Sequence, residues 1–107
     1  MSQQIERQRW QYHGTVQGVG FRASVSRLSH RHLVTGFVRN NADGSVTVEV
    51  EGSDLMLRAF RQEIDRELGF RINEVLVTKL EPQVASDETV ASDETVSEAK
   101  KRFEIRY

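Results

Sequence analysis

The strongest constraint on the fold is a pair of strand-like segments, joined by an Asp-Gly turn, in the centre of the chain. Residues 34–39 (VTGFVR) are typical of a strand, and residues 45–51 (SVTVEVE) place Val46, Val48 and Val50 on one face. The five residues between the segments, NNADG, end in the dipeptide that most strongly indicates a hairpin. The centre of the chain therefore predicts two neighbouring antiparallel strands with one buried face.

A strand and a helix are predicted on each side of this hairpin. Before it, residues 7–14 alternate between apolar and polar, and residues 23–32 carry apolar residues at helical spacing. After it comes a second helical segment, followed by a strand at residues 72–80. The apolar positions of the second helix are Met56, Phe60, Ile64 and Leu68. Ser53 or Asp54 can cap this helix at its start.

These elements predict a ferredoxin-like α+β fold. Their order is βαββαβ, and residues 103–107 (FEIRY) alternate and predict a fifth strand. We expect an antiparallel sheet of four to five strands with two helices on one face. The first strand is amphipathic rather than a continuous apolar run, which argues against a doubly wound parallel sheet.

Length and composition indicate one domain spanning residues 1–107. The chain is 37% hydrophobic and 29% charged, which suffices for a single core. We expect residues 1–6 to form a disordered tail and residues 83–100 to form a loop. ASDETV occurs twice in that loop, and this acidic repeat is too short for a solenoid unit.

Composition also limits the partners and locations to consider. No apolar run nears the ~20 residues that span a bilayer. MSQQIERQRW lacks the apolar core of a secretory signal, so we expect a cytoplasmic protein without membrane contact. The net charge of −1 is too balanced for a dedicated nucleic-acid binder. The strand SVTVEVE also lacks the aromatic residues on which RNA bases stack.

The segment between the first strand and the first helix has the features of an anion site. TVQGVGF contains Gly18 and Gly20 and leads into a helix, whose first N–H groups favour an anion. Arg22 stands at the junction, where its planar guanidinium can donate to two phosphate oxygens. The glycines match a dinucleotide-binding pattern, but the chain is too short for that sheet. From these residues alone, Arg22 is equally well explained as a solvated residue of the first turn.

Other catalytic and metal-binding patterns are absent from the sequence. It contains no cysteine, and His30 and His32 are two positions apart, so on a helix they face different ways. No Gly-x-Ser-x-Gly motif of a serine hydrolase is present. We therefore expect neither a metal nor a cofactor. Asn40 opens the NNADG segment and, taken alone, is typical of an ordinary turn residue.

Two linked motifs resemble those of a known family. Residues 14–22 (GTVQGVGFR) closely resemble the acylphosphatase pattern G-x-V-Q-G-V-x-F-R. Residues 36–46 (GFVRNNADGSV) are similar to the second family pattern, G-[WF]-V-x-N…D-G-x-V, and FEIRY is similar to the usual ending. The resemblance covers residues 7–107, and two motifs at fixed separation are more specific than a glycine loop alone.

The resemblance implies a hydrolase that cleaves the carboxyl–phosphate bond of acyl phosphates. It implies that Arg22 binds the phosphoryl group and that Asn40 orients the attacking water. The implied phosphate-binding loop consists of Gln17, Gly18, Val19, Gly20 and Phe21. It further implies a monomeric, cytoplasmic, metal-free enzyme whose site inorganic phosphate or sulfate can occupy. The alternative is a non-catalytic phosphate- or carbamoyl-phosphate-binding module on the same fold.

The chain departs from the family pattern where the first helix ends. The family commonly has Leu-Gly-Leu there, whereas this chain has His32, Leu33 and Val34. A glycine at that place suits a left-handed helix cap. We therefore expect this helix either to end in another way or to carry strain at this place.

Overall fold

A five-stranded sheet and two helices make up the described part of the chain, which in this computed structural model comprises residues 4–18, 20–82 and 103–107. The elements in chain order are β1 (Ile5–Gly14), α1 (Phe21–Ser29), β2 (Thr35–Asn40), β3 (Val46–Ser53), α2 (Asp54–Leu68), β4 (Ile72–Leu80) and β5 (Phe103–Arg106). This order confirms the predicted ferredoxin-like α+β fold. The ASDETV repeat lies outside the described residues.

The sheet has the strand order β4-β1-β3-β2-β5 and is mixed. β1 pairs antiparallel with both β3 and β4, and β2 pairs antiparallel with β3. β5 runs parallel to β2, so the prediction of a wholly antiparallel sheet was wrong at this edge. The physical reason is that alternation within FEIRY indicates a strand but carries no information on its partner or direction.

The first strand begins earlier than the sequence predicted. Ile5 pairs with Ser53 and Glu6 with Gly52, so the predicted disordered tail of residues 1–6 was wrong for these two positions. Pairing with the central strand β3 holds both residues in the sheet even though Ile5 is partly exposed. Neither of the two described helices is long and apolar enough to cross a membrane.

The hydrophobic core lies between the sheet and the two helices. The strands place Trp10, Tyr12, Val46, Val48 and Val50 at its centre. Each of these side chains is at most 2% exposed, and Trp10 pairs with Val48 across the two strands. The predicted alternation of β1 and β3 therefore sets which face of the sheet receives the helices.

Helix α2 follows the prediction with one shift in its buried face. The Ser53 hydroxyl accepts a hydrogen bond from the Met56 backbone N–H at 3.1 Å, so Ser53 rather than Asp54 is the cap. Leu57 is buried and Met56 only partly so. A strict four-residue repeat drifts by about 40° per step against the 3.6-residue helix, which explains this shift.

Helix α1 ends without a glycine cap. Its last turn tightens into hydrogen bonds from Arg31 N to Leu28 O (3.0 Å) and from His32 N to Ser29 O (3.1 Å). His32 Nε2 lies 2.7 Å from Glu63 Oε1 on α2, and Arg31 also pairs with Glu63. The hydrogen bond with His32 is the main cause that lowers the pKa of the Glu63 carboxyl. The end of α1 is therefore held by a carboxylate of the neighbouring helix.

A buried ion pair lies on the face of the sheet opposite the helices. Arg7 Nη1 lies 3.1 Å from Glu51 Oε1, and Arg7 Nη2 lies 3.2 Å from Glu49 Oε1. Arg9 also pairs with Glu49, at 3.0 Å. The two arginines differ in environment, since the Arg7 side chain is 8% exposed and the Arg9 side chain 44%.

We expect Arg7→Ala to lower the free energy of unfolding by about 3 kcal/mol, because it removes the guanidinium that pairs with the buried Glu51 and the partly buried Glu49. Arg9→Ala is the matched control and should cost less than about 1 kcal/mol, since water screens an exposed pair. Urea denaturation of both variants measures the difference. Equal losses in the two variants would contradict the role given to burial.

Candidate active site

The loop between β1 and α1 is tied to the β2–β3 turn by the side chain of Gln17. Its Nε2 donates to Asn41 O at 2.7 Å and to Ser45 O at 2.9 Å. Both donor hydrogens of the amide are thereby used on the turn. The structure thus directs the Gln17 side chain to the turn, and Gln17 does not line the neighbouring pocket.

The turn that receives Gln17 is itself fixed by side-chain hydrogen bonds. Asp43 Oδ1 accepts from the Ser45 hydroxyl at 2.6 Å and from Ser45 N at 2.9 Å. The hydroxyl bond is the first cause that holds the pKa of the Asp43 carboxyl below its usual value. Asn41 Nδ2 donates to Ser45 Oγ (2.9 Å) and Thr47 Oγ1 (2.8 Å). Asn40 therefore precedes a turn with little freedom to move.

Two glycines give the loop its shape. Gly18 and Gly20 have φ angles of 78° and 79°, in the left-handed region that other residues adopt at a cost. Gly20 is the N-cap residue of α1, and its carbonyl accepts from Ser24 N at 2.9 Å. A Cβ atom at either glycine would have open space, so conformation rather than crowding requires glycine. Val19, between them, lies outside the described residues.

A pocket of about 170 Å³ lies between this loop, the end of β2 and the end of β5. It is lined by Val16, Gly18, Gly20, Phe21, Arg22, Ala23, Asn40, Ile105 and Tyr107. The structure thus brings together five of the residues predicted from the sequence: Gly18, Gly20, Phe21, Arg22 and Asn40. The volume suits a small anion with a short substituent, since pockets for drug-sized ligands reach ~300–1,000 Å³.

Asn40 lines this pocket and carries an unsatisfied acceptor. Within the described part of the chain, its buried Oδ1 has no hydrogen-bond partner. Leaving a buried amide oxygen unpaired is costly, so such an atom marks a place for a donor from outside the protein. Arg39, its neighbour, is exposed on the other face of β2.

Arg22 is the one charged residue among those that line the pocket in the described ranges. Its Nη1 donates to Arg106 O at 3.1 Å, and its guanidinium carbon lies 4.6 Å from the centre of the Tyr107 ring. Phe21, one residue earlier, is buried and packs against Tyr12, with ring centres 5.5 Å apart. The core thus fixes the start of α1, and Arg22 projects from it into the pocket.

Four lining residues, Val16, Ala23, Ile105 and Tyr107, were not predicted as site residues, and the last two come from the distant C-terminal segment. The segment FEIRY was identified as a strand, but only its parallel pairing with β2 brings it here. That register sets Ile105 opposite Val38 and Arg106 opposite Arg39, so Tyr107 follows beside Asn40. The resemblance of FEIRY to the family ending was the available signal.

Among residues 4–18, 20–82 and 103–107, no group of three potential metal-ligating residues is present.

Comparison with known proteins agrees with this arrangement. The family model for acylphosphatase matches residues 8–105. The acylphosphatase of Lactobacillus gasseri is 35% identical over 96 residues, which cover 88% of this chain and 90% of that protein. The chain belongs to the acylphosphatase family. The Geobacillus kaustophilus acylphosphatase is 42% identical over 76 residues, or 70% of this chain and 79% of that one. The match to a Synechococcus acylphosphatase, 51% identical over 57 residues, spans 49% of that relative's length.

Solved structures show the same acylphosphatase fold. The Bacillus subtilis acylphosphatase superposes with a TM-score of 0.73 at 26% identity, covering 97% of this chain and all of that one. Full-length HypF, in its phosphate- and nucleotide-bound form, gives a TM-score of 0.74 at 27% identity. This match covers 100% of the present chain but 12% of HypF. The family, fold and hydrolase class predicted from the sequence are therefore confirmed.

We expect Gln17→Glu to lower kcat/KM for benzoyl phosphate by about 10-fold or more, because a carboxylate cannot donate to the two carbonyls that Gln17 holds and the loop then shifts relative to Asn40. The exposed Gln62→Glu introduces the same charge change on α2 and should have little effect. Steady-state kinetics on both variants, with circular dichroism to check folding, measure the difference. Unchanged kinetics in Gln17→Glu would show that this link does not position the site.

Proposed function

We propose that the protein hydrolyses acyl phosphates to a carboxylate and inorganic phosphate, with Arg22 binding the phosphoryl group and Asn40 orienting the attacking water. The observation that carries this proposal is the buried, unpaired Oδ1 of Asn40, a residue that lines the same pocket as Arg22 and the loop glycines. The Asn40 oxygen can accept a hydrogen bond from a water molecule, and the Arg22 cation can bind an anion beside that water.

The phosphoryl group carries the negative charge that the site must bind. The guanidinium of Arg22 can donate to two phosphoryl oxygens at once. The backbone N–H groups of the loop and the N-terminus of α1 supply further donors without a side-chain charge. Gln17 contributes to this loop through its backbone, because its side-chain amide is bonded to the turn.

Asn40 then aims the water at phosphorus. Its Oδ1 accepts one O–H, which turns a lone pair of the water oxygen toward the phosphorus atom. The new P–O bond forms in line with the bond to the acyl oxygen, which breaks and leaves its electron pair on the carboxylate. The proton of the water passes to a phosphoryl oxygen. The conjugate acid of the leaving group has a pKa of ~4, so no side chain needs to protonate it.

The Oδ1 atom of Asn40 distinguishes catalysis from simple phosphate binding. A non-catalytic phosphate- or carbamoyl-phosphate-binding module, the alternative function, needs donors around the anion. A carbonyl oxygen such as Asn40 Oδ1 repels an ionised phosphate oxygen but can accept from water. Because Asn40 lines the pocket, its unpaired oxygen supports the hydrolytic function over the binding module.

We also propose that the protein acts as a monomer in the cytoplasm on a small-molecule acyl phosphate. Arg22, Asn40 and the loop glycines, which the proposed reaction needs, line one pocket of this chain. Inorganic phosphate is the reaction product, and sulfate has the same tetrahedral shape and negative charge. Both anions should therefore compete with substrate for the pocket.

We expect Arg22→Lys to lose most of the hydrolysis of benzoyl phosphate, because an ammonium group cannot reproduce two parallel contacts to phosphate oxygens. Arg27→Lys, at an exposed position of the same helix, is the matched control. Comparing kcat/KM of the two variants tests the assignment. Near-normal turnover in Arg22→Lys would refute the role of Arg22.

We expect Asn40→Ala to lower kcat by about 10²-fold or more while the fold persists, because the water loses its orienting acceptor. The exposed Asn73→Ala, on β4, should leave kcat unchanged. Steady-state kinetics separate kcat from KM. A rise in KM alone would mean that Asn40 binds substrate instead of orienting water.

A further inference from the structure

Two contacts at the end of β5 restrict the guanidinium of Arg22. The ring of Tyr107 lies below it, with the guanidinium carbon 4.6 Å from the ring centre. The carbonyl of Arg106 accepts a hydrogen bond from Nη1 at 3.1 Å. A ring against a guanidinium restricts the tilt of its plane, whereas a hydrogen bond to one nitrogen restricts rotation within that plane.

This orientation has a consequence for phosphate binding. A guanidinium carries five N–H groups, and the bond to Arg106 occupies one that belongs to Nη1. The edge formed by Nε and Nη2 remains available, and this edge offers the two parallel N–H groups that a phosphate accepts. An arginine held in this way needs to lose less conformational freedom when substrate binds.

Tyr107 has no comparable part in the hydrophobic core. It is 97% exposed, whereas Ile105, two residues earlier on the same side of β5, packs partly against the core. The parallel pairing of β5 with β2 brings Tyr107 beside Asn40 and to the pocket. An aromatic ring so exposed contributes little to folding, and among the described residues its ring contacts the guanidinium of Arg22.

We infer that Tyr107 is a positioning residue for the reaction: its ring, together with the carbonyl of Arg106, orients the guanidinium of Arg22 for two-pronged contact with the phosphoryl group. This inference rests on the proposed function and adds a residue to it. Tyr107 acts through Arg22 and does not itself bind the reacting atoms.

The first test compares Tyr107→Leu with Tyr107→Phe. Tyr107→Leu removes the ring and should lower kcat/KM for benzoyl phosphate by about 3- to 5-fold, the loss expected for an exposed cation–π contact. Tyr107→Phe keeps the ring and should retain at least half of kcat/KM. Phe70→Leu is the matched control, since Phe70 is also exposed and its ring lies 4.8 Å from the Arg71 guanidinium carbon, away from the pocket. A Phe variant as impaired as the Leu variant would overturn the role of the ring.

A double-mutant cycle separates positioning from a general effect on the fold. In an Arg22→Gln background no cation remains to be oriented, so adding Tyr107→Leu should change the residual kcat/KM by less than about 1.5-fold. The same 3- to 5-fold loss in both backgrounds would overturn the inference, because Tyr107 would then act without Arg22.

A spectroscopic measurement tests the contact between Tyr107 and Arg22 independently of the enzymatic activity. The Arg22 Nε–H resonance should shift when Tyr107→Leu removes the ring current, and should stay near its place in Tyr107→Phe. An unshifted resonance in Tyr107→Leu would show that the contact is absent and would overturn the inference. If the resonance shifts between the wild-type protein and Tyr107→Leu but the wild-type protein does not hydrolyse benzoyl phosphate, the proposed function fails while the contact stands.

Discussion

Two hydrogen bonds from one amide group determine how far apart the halves of the site lie. Gln17 holds the β1–α1 loop to the carbonyls of Asn41 and Ser45, so the loop that leads to Arg22 stays beside the turn that follows Asn40. These halves belong to different parts of the chain and share no covalent constraint. Displacements of about 1 Å at a site that acts by positioning cost large factors in rate. The remaining geometry of the pocket therefore depends on this link.

The proposed chemistry suits a pocket with so few ionisable side chains among its described lining residues. Arg22 alone is charged among the described lining residues, and Asn40 is neutral. A carboxylate leaving group departs without a proton, and the phosphoryl oxygens can take the proton of the water. Electrostatic stabilisation and orientation then remain as the tasks of the protein, and fixed dipoles perform both.

Local periodicity predicted most of the fold, because the faces of strands and helices are encoded by neighbouring residues. The β2–β3 hairpin and the valine face of β3 appear directly in the sequence. Pairing between distant strands leaves no such local pattern, so the parallel β5 and the arrival of Tyr107 at the pocket were not foreseen. Asn40 is a similar case, since only its resemblance to a linked motif distinguished it from an ordinary turn residue. Gln17 was placed in the correct loop, yet the destination of its side chain required coordinates.

The left-handed backbone at Gly18 and Gly20 has an evolutionary consequence. The donors that the proposed function requires of this loop are main-chain amides, which every amino acid except proline possesses. Most side chains in the loop can therefore be substituted without changing the donors that face the ligand, provided that the backbone conformation is preserved. Selection is expected to act there on the path of the polypeptide, and to tolerate variety at the positions whose only contribution is an N–H.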